Sequence, residues 1–128
     1  MPNGLQDVLA RIRRALPKAG PTDGDLLARF VAAGDGEAFA ALLGRHGPLV
    51  LSVCRRLARH EQDAEDAFQA TFLVLAQKAG SVARRDSVAS WLYAVAYCTA
   101  LRAREAEAKR RSRERLLASA SRARSAVR

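Results

Sequence analysis

The stretch Asp63–Gly80, DAEDAFQATFLVLAQKAG, decides the fold. Ala64, Phe68, Phe72, Leu75 and Ala79 recur at steps of 4, 4, 3 and 4, the period of a helix with one face turned to a core. A second stripe lies on another face of the same helix: Gln62, Asp66, Gln69, Leu73 and Gln77. It mixes a carboxylate, amides and a leucine, as a surface that meets a partner does. Glu65 and Asp66 also sit in the first turn, where the helix dipole favours negative charge, so the acids have a structural explanation as well. Gln69 and Leu73 taken together fit that explanation less well.

Working outward, the rest of the chain also reads as helix. Alanine, leucine and arginine dominate, all good helix formers, and strand signals are few. Leu5, Leu9, Ile12 and Leu16 predict a short amphipathic helix over 5–16, ended by a linker of Pro17, Gly20 and Pro21. Thr22 or Asp23 is placed to cap a helix over 24–33. Asp35 is placed to cap a longer one over 37–59, in which Gly47-Pro48 predicts a kink or break. His60–Asp63 reads as a connection, with Asp63 capping the 63–78 helix. A loop over 80–87 leads to a last helix that starts at Asp86 or Ser87 and runs to about Leu117, with a frayed SASRARSAVR after it.

On that last helix, Val88, Leu92, Val95 and Thr99, with Trp91, form the stripe expected to be buried. Tyr93, Tyr97, Arg104 and Arg111 share another face, with Arg102 read as flanking it. Arginines pair with phosphates and aromatic rings stack on unpaired bases, so this face suits single-stranded or partly melted nucleic acid. The preceding loop adds Arg84 and Arg85, and its small polar residues could hold an extruded base.

Charge supports that direction. The 128 residues carry a net charge of +9. Residues 1–80 hold 10 basic and 9 acidic side chains, while residues 81–128 hold 12 and 4. A field concentrated at one end points to a polyanion, with a solvated basic tail as the plainer alternative. No apolar run approaches the ~18 residues of a membrane span, and no secretory leader pattern opens the chain. Cys54 and Cys98 form no CxxC motif, and His46 and His60 lack metal-ligand spacing, so neither a disulfide framework nor a metal or catalytic centre is expected. The chain reads as a non-enzyme of a reducing compartment.

The run from GDLLARFVAAGDGEAFAALLGRHGPLVLSVCRRL through DAEDAFQATFLVLAQKAGSV to SWLYAVAYCTALRARE resembles region two of bacterial extracytoplasmic-function sigma factors, in the versions abundant in planctomycete-like bacteria. The resemblance covers about 22–112. It implies an all-α, compact helical bundle of the sigma region-two type, with an extra N-terminal helix and a basic C-terminal helical extension. The corresponding division is 1–21, 22–112 and 113–128, the last resembling an interdomain linker. The implied function is transcription initiation in the bacterial cytoplasm, without a cofactor. The implied partners are the β′ clamp helices of RNA polymerase core, the single-stranded non-template strand of the minus-ten element, and an anti-sigma protein. Carried over by position, Asp66, Gln69 and Leu73 contact polymerase, while the 80–88 loop with Arg84 and Arg85 captures a base. Tyr93, Tyr97, Arg102, Arg104 and Arg111 follow the melted strand.

Two positions depart from the family pattern. Many relatives carry asparagine or arginine where this chain has Cys98. Relatives also continue into a helix-turn-helix that reads the minus-thirty-five element, whereas the sequence in hand ends at Arg128. The alternative expectation is therefore a sigma-like regulatory decoy that occupies polymerase or an anti-sigma protein without initiating.

Overall fold

The computed structural model describes residues 4, 5, 8 and 20–127. Within the described stretch 20–127, four helices follow one another: α1 (Asp23–Ala33), α2 (Gly36–Leu57), α3 (Glu61–Val82) and α4 (Val88–Ala126). No strand occurs among the described residues, so the fold is an all-α bundle. Most of the helix expected over 5–16 lies outside the described residues.

Local chemistry sets the helix starts. Thr22 and Asp25 form a reciprocal capping box: the Asp25 N–H donates to Thr22 Oγ1 at 3.1 Å and the Thr22 N–H to Asp25 Oδ2 at 3.2 Å. Gly34 ends α1 with φ 63°, a left-handed position suited to glycine, and its N–H donates to the Phe30 carbonyl. Asp35 caps α2 by accepting from the Glu37 and Ala38 N–H groups.

Several boundaries differ from expectation. α2 runs through Pro48 as one helix. The buried Gly47 packs beside the Phe68 ring, so tertiary contact overrides the local preference. α3 begins at Glu61 with His60 at the N-cap, which leaves Asp63 inside the first turn rather than at the cap. It also continues to Val82, so the expected 80–87 loop shrinks to 83–87. α4 extends past Leu117 to Ala126 where fraying was expected, because its alanine- and arginine-rich sequence favours helix without tertiary support.

The core joins all four helices. Leu27, Leu42, Val50, Leu75, Val82 and Leu92 are fully buried at its centre. Phe39 meets Phe30 at a 4.8 Å ring separation and Phe72 edge-on at 6.4 Å, tying α1 and α2 to α3. The buried Thr71 hydroxyl donates to the Ala67 carbonyl at 2.8 Å and so is satisfied. α4 packs on both α2 and α3. Its buried line is Val88, Leu92, Ala96 and Ala100, at regular steps of four. The expected Val95 and Thr99, together with Trp91, are only half-buried. Small alanine side chains permit close helix packing, and with Ala96 and Ala100 on the contact line the bulkier Trp91, Val95 and Thr99 lie toward one edge.

Beyond Glu107, α4 leaves the bundle. Every described residue from 112 onward is exposed. At 1.5 Å per residue the 39-residue helix is about 58 Å long, so its second half projects into solvent as a basic arm.

Candidate functional site

Two surfaces flank the bundle. The first is the outer face of α3. Asp66, Gln69 and Leu73 are all exposed, with Leu73 at 63 %. Gln62 and Gln77 are exposed on the same stripe. Gln62 Nε2 donates to Asp66 Oδ1 at 3.0 Å, holding the carboxylate in place across one helical turn. The opposite face of α3, carrying Ala64, Phe72, Leu75 and Ala79, is buried and anchors this surface rigidly.

The second surface is a groove of about 780 Å³ between the 83–87 turn and α4. Arg84 and Arg85 enter it from the turn, whose backbone is fixed by the Arg84 N–H to Ser81 carbonyl and Arg85 N–H to Val82 carbonyl bonds. Ser87 closes the turn by capping α4, its hydroxyl accepting from the Ser90 N–H at 3.1 Å. α4 contributes Trp91, Cys98 and Arg102 to the groove wall. Among the described residues no carboxylate lies within ion-pair distance of Arg84, Arg85 or Arg102, although Asp86 also lines the groove. Three cations without acidic partners in a concave wall concentrate positive potential there.

The nucleic-acid residues expected from sequence thus divide into two sets. Arg102 does not flank the tyrosines. It stands nine residues from Tyr93, about two and a half turns, and so lies on the opposite side of α4. It joins Arg84 and Arg85 in the groove, and Trp91 joins them from the stripe expected to be buried. Tyr93 and Tyr97 are 44 % and 45 % exposed and, with the exposed Arg104, lie outside the groove lining. Arg111 is half-buried, with Nε 3.6 Å from Glu107 Oε1. The place of Trp91 in the groove lining is not legible in the sequence because its size and hydrophobicity predict core, and the rotation of α4 depends on Ala96 and Ala100.

Two cysteines differ in the same way. Cys98 is exposed on the groove wall. Cys54 is buried, and burial pushes its thiol pKa up, which makes it a poor nucleophile.

No described helix is long and apolar enough to cross a membrane. Searches of curated proteins and of solved structures found no match. Among family models, Sigma-70 region 2 matches residues 42–111, more than half of the chain, from the middle of α2 through α3 to the end of the packed part of α4. Both surfaces fall within that span, and the chain belongs to the sigma-70 region 2 family, with a sigma-factor-like role in transcription initiation.

Proposed function

We propose that this domain initiates transcription by docking the outer face of α3 on the β′ clamp helices of RNA polymerase and holding the non-template strand of the minus-ten element in the α4 groove. Residues 22–112 act as the working unit, and the arm from 113 onward acts as a linker. The domain needs no catalytic group of its own, because polymerase carries the chemistry.

The observation that carries this reading is the grouping of Arg84, Arg85 and Arg102 around Trp91 in one open groove, where among the described residues none of the three forms an ion pair although Asp86 also lines it. Guanidinium groups hold the phosphates of a single strand. An indole face stacks on an unpaired base, which is worth about 1–3 kcal/mol per base. Extruding a base costs a few kcal/mol, so the two contributions are of comparable size and the groove can offset strand opening. The α3 stripe has the opposite character, being mostly uncharged and convex, as suits a protein partner.

Run-off transcription with core polymerase tests the proposal. The unmodified chain is expected to support initiation, and the Arg84→Ala/Arg85→Ala/Arg102→Ala variant to lose it while still binding polymerase. A chain that binds polymerase yet inhibits transcription would instead be the decoy described above.

A further inference from the structure

Away from both surfaces, α3 begins beside the point where α4 leaves the bundle, and three side chains of metal-binding type meet there. His60, Asp63 and Glu107 each offer a donor atom, and these atoms lie within 4.8 Å of one another. They surround a small cavity of about 210 Å³. His60 Nε2 is 3.1 Å from Glu107 Oε1, across 47 positions of sequence.

A second observation points to a ligand. Glu107 is 7 % exposed, and its Oε2 has no hydrogen-bond partner. A buried carboxylate oxygen left unpaired carries a full desolvation cost, so such a group demands an occupant. Glu107 Oε1 is met by His60 and, at 3.6 Å, by Arg111, whose own Nε finds no hydrogen bond. His60 stands at the N-cap of α3 yet makes no capping bond with its side chain, and its ring turns to Glu107 instead.

We propose that His60, Asp63 and Glu107 form a three-ligand site for a divalent transition metal of the zinc type. One imidazole nitrogen and two carboxylate oxygens suit a borderline cation, whereas magnesium and calcium prefer oxygen alone. Zinc sits about 2.0–2.2 Å from such donors, so tetrahedral ligands stand roughly 3.4 Å apart. His60 and Glu107 already meet that spacing, and rotation of the half-buried Asp63 closes the third position. Water takes the fourth. The cavity is also lined by Arg110, Arg111 and Glu114, so its charged side chains sum to one net negative charge before the metal enters. The bound ion would pin the start of α3 to the root of the basic arm.

Calorimetric titration of the full chain carrying Cys98→Ser, with zinc chloride and with magnesium chloride, tests the site. One zinc per chain is expected, with no saturable magnesium binding. His60→Gln and Asp63→Asn should each weaken zinc by more than about tenfold, since even outer-sphere losses cost that much. Both substituted positions lie outside the core, so helical circular dichroism should be unchanged. His46→Gln should leave binding intact. Zinc affinity unchanged in His60→Gln, or no zinc binding at millimolar concentration, would overturn the proposal and leave Glu107 to ordered water.

Discussion

The outer face of α3 and the groove beside α4 are built on different principles. The first comes from one helix. Asp66, Gln69 and Leu73 sit on a single stripe whose opposite side is buried, so local periodicity alone places them. The second is assembled from two segments. Arg84 and Arg85 come from a turn, Trp91 and Arg102 from a helix, and their meeting depends on how α4 is rotated about its axis. The contrast extends to charge, since the α3 stripe holds one carboxylate among amides and a leucine while the groove holds three arginines and one aspartate, none of the arginines in an ion pair among the described residues. A convex, nearly neutral stripe and a concave cationic one are suited to different partners, a protein and a polyanion.

Separate substitutions should break the two surfaces separately. The largest effect is expected on α3. Asp66→Lys with Gln69→Ala should weaken polymerase association by about thirtyfold, the loss of one interface hot spot, in a pull-down or titration with core enzyme. Binding to a single-stranded oligonucleotide should stay unchanged in the same variant. If both activities fall together, the two surfaces are not independent.

A smaller effect is expected from Tyr93→Ala with Tyr97→Ala. The tyrosines lie outside the groove, so oligonucleotide affinity should drop less than tenfold, by fluorescence anisotropy. A larger loss would mean that the strand crosses the tyrosine side of α4 and that the groove is secondary.

Thiol chemistry sharpens the location. Cys98 should react with a thiol reagent in the native chain, and Cys54 only after unfolding. A bound oligonucleotide should slow Cys98 labelling several-fold, whereas an equal rate would place the strand elsewhere.

The smallest effect concerns the α2–α3 junction that holds the α3 face. Arg55 donates to both oxygens of Glu61, with the shortest contact 2.7 Å, and this hydrogen bonding holds the Glu61 carboxyl below the usual carboxylate range. The folded state binds that proton more weakly than the unfolded state. Its contribution is therefore present above the ordinary carboxylate pKa and is lost as pH falls through the depressed folded value. Glu61→Gln should lower Tm slightly at pH 7, and the difference should shrink as pH falls below the ordinary carboxylate range.

The same contrast explains what could be read from sequence. The all-α class, the capping of α1 and α2 by Thr22 and Asp35, and the exposed stripe of α3 follow from patterns within a few residues of each other. The groove does not. Val95 and Thr99 are bulkier than Ala96 and Ala100, and Val95 is the more hydrophobic, yet the small alanines form the contact. That rotation leaves Trp91 half-buried, packed against the core while lining the groove, whereas the place of Arg102 opposite the tyrosines follows from its nine-residue spacing alone. Glu107 escaped notice for a related reason, since a charged residue in a basic stretch reads as solvent-facing until α3 covers it.

The salt dependence of single-strand binding tests the central claim most directly. Each phosphate contact on a single strand adds about 0.7 to the slope of log affinity against log salt. Arg84→Ala/Arg85→Ala/Arg102→Ala should therefore flatten that slope by about 2 relative to the unmodified chain. An unchanged slope, with the dependence carried instead by the arginines of the projecting arm, would contradict the groove as the strand-holding surface.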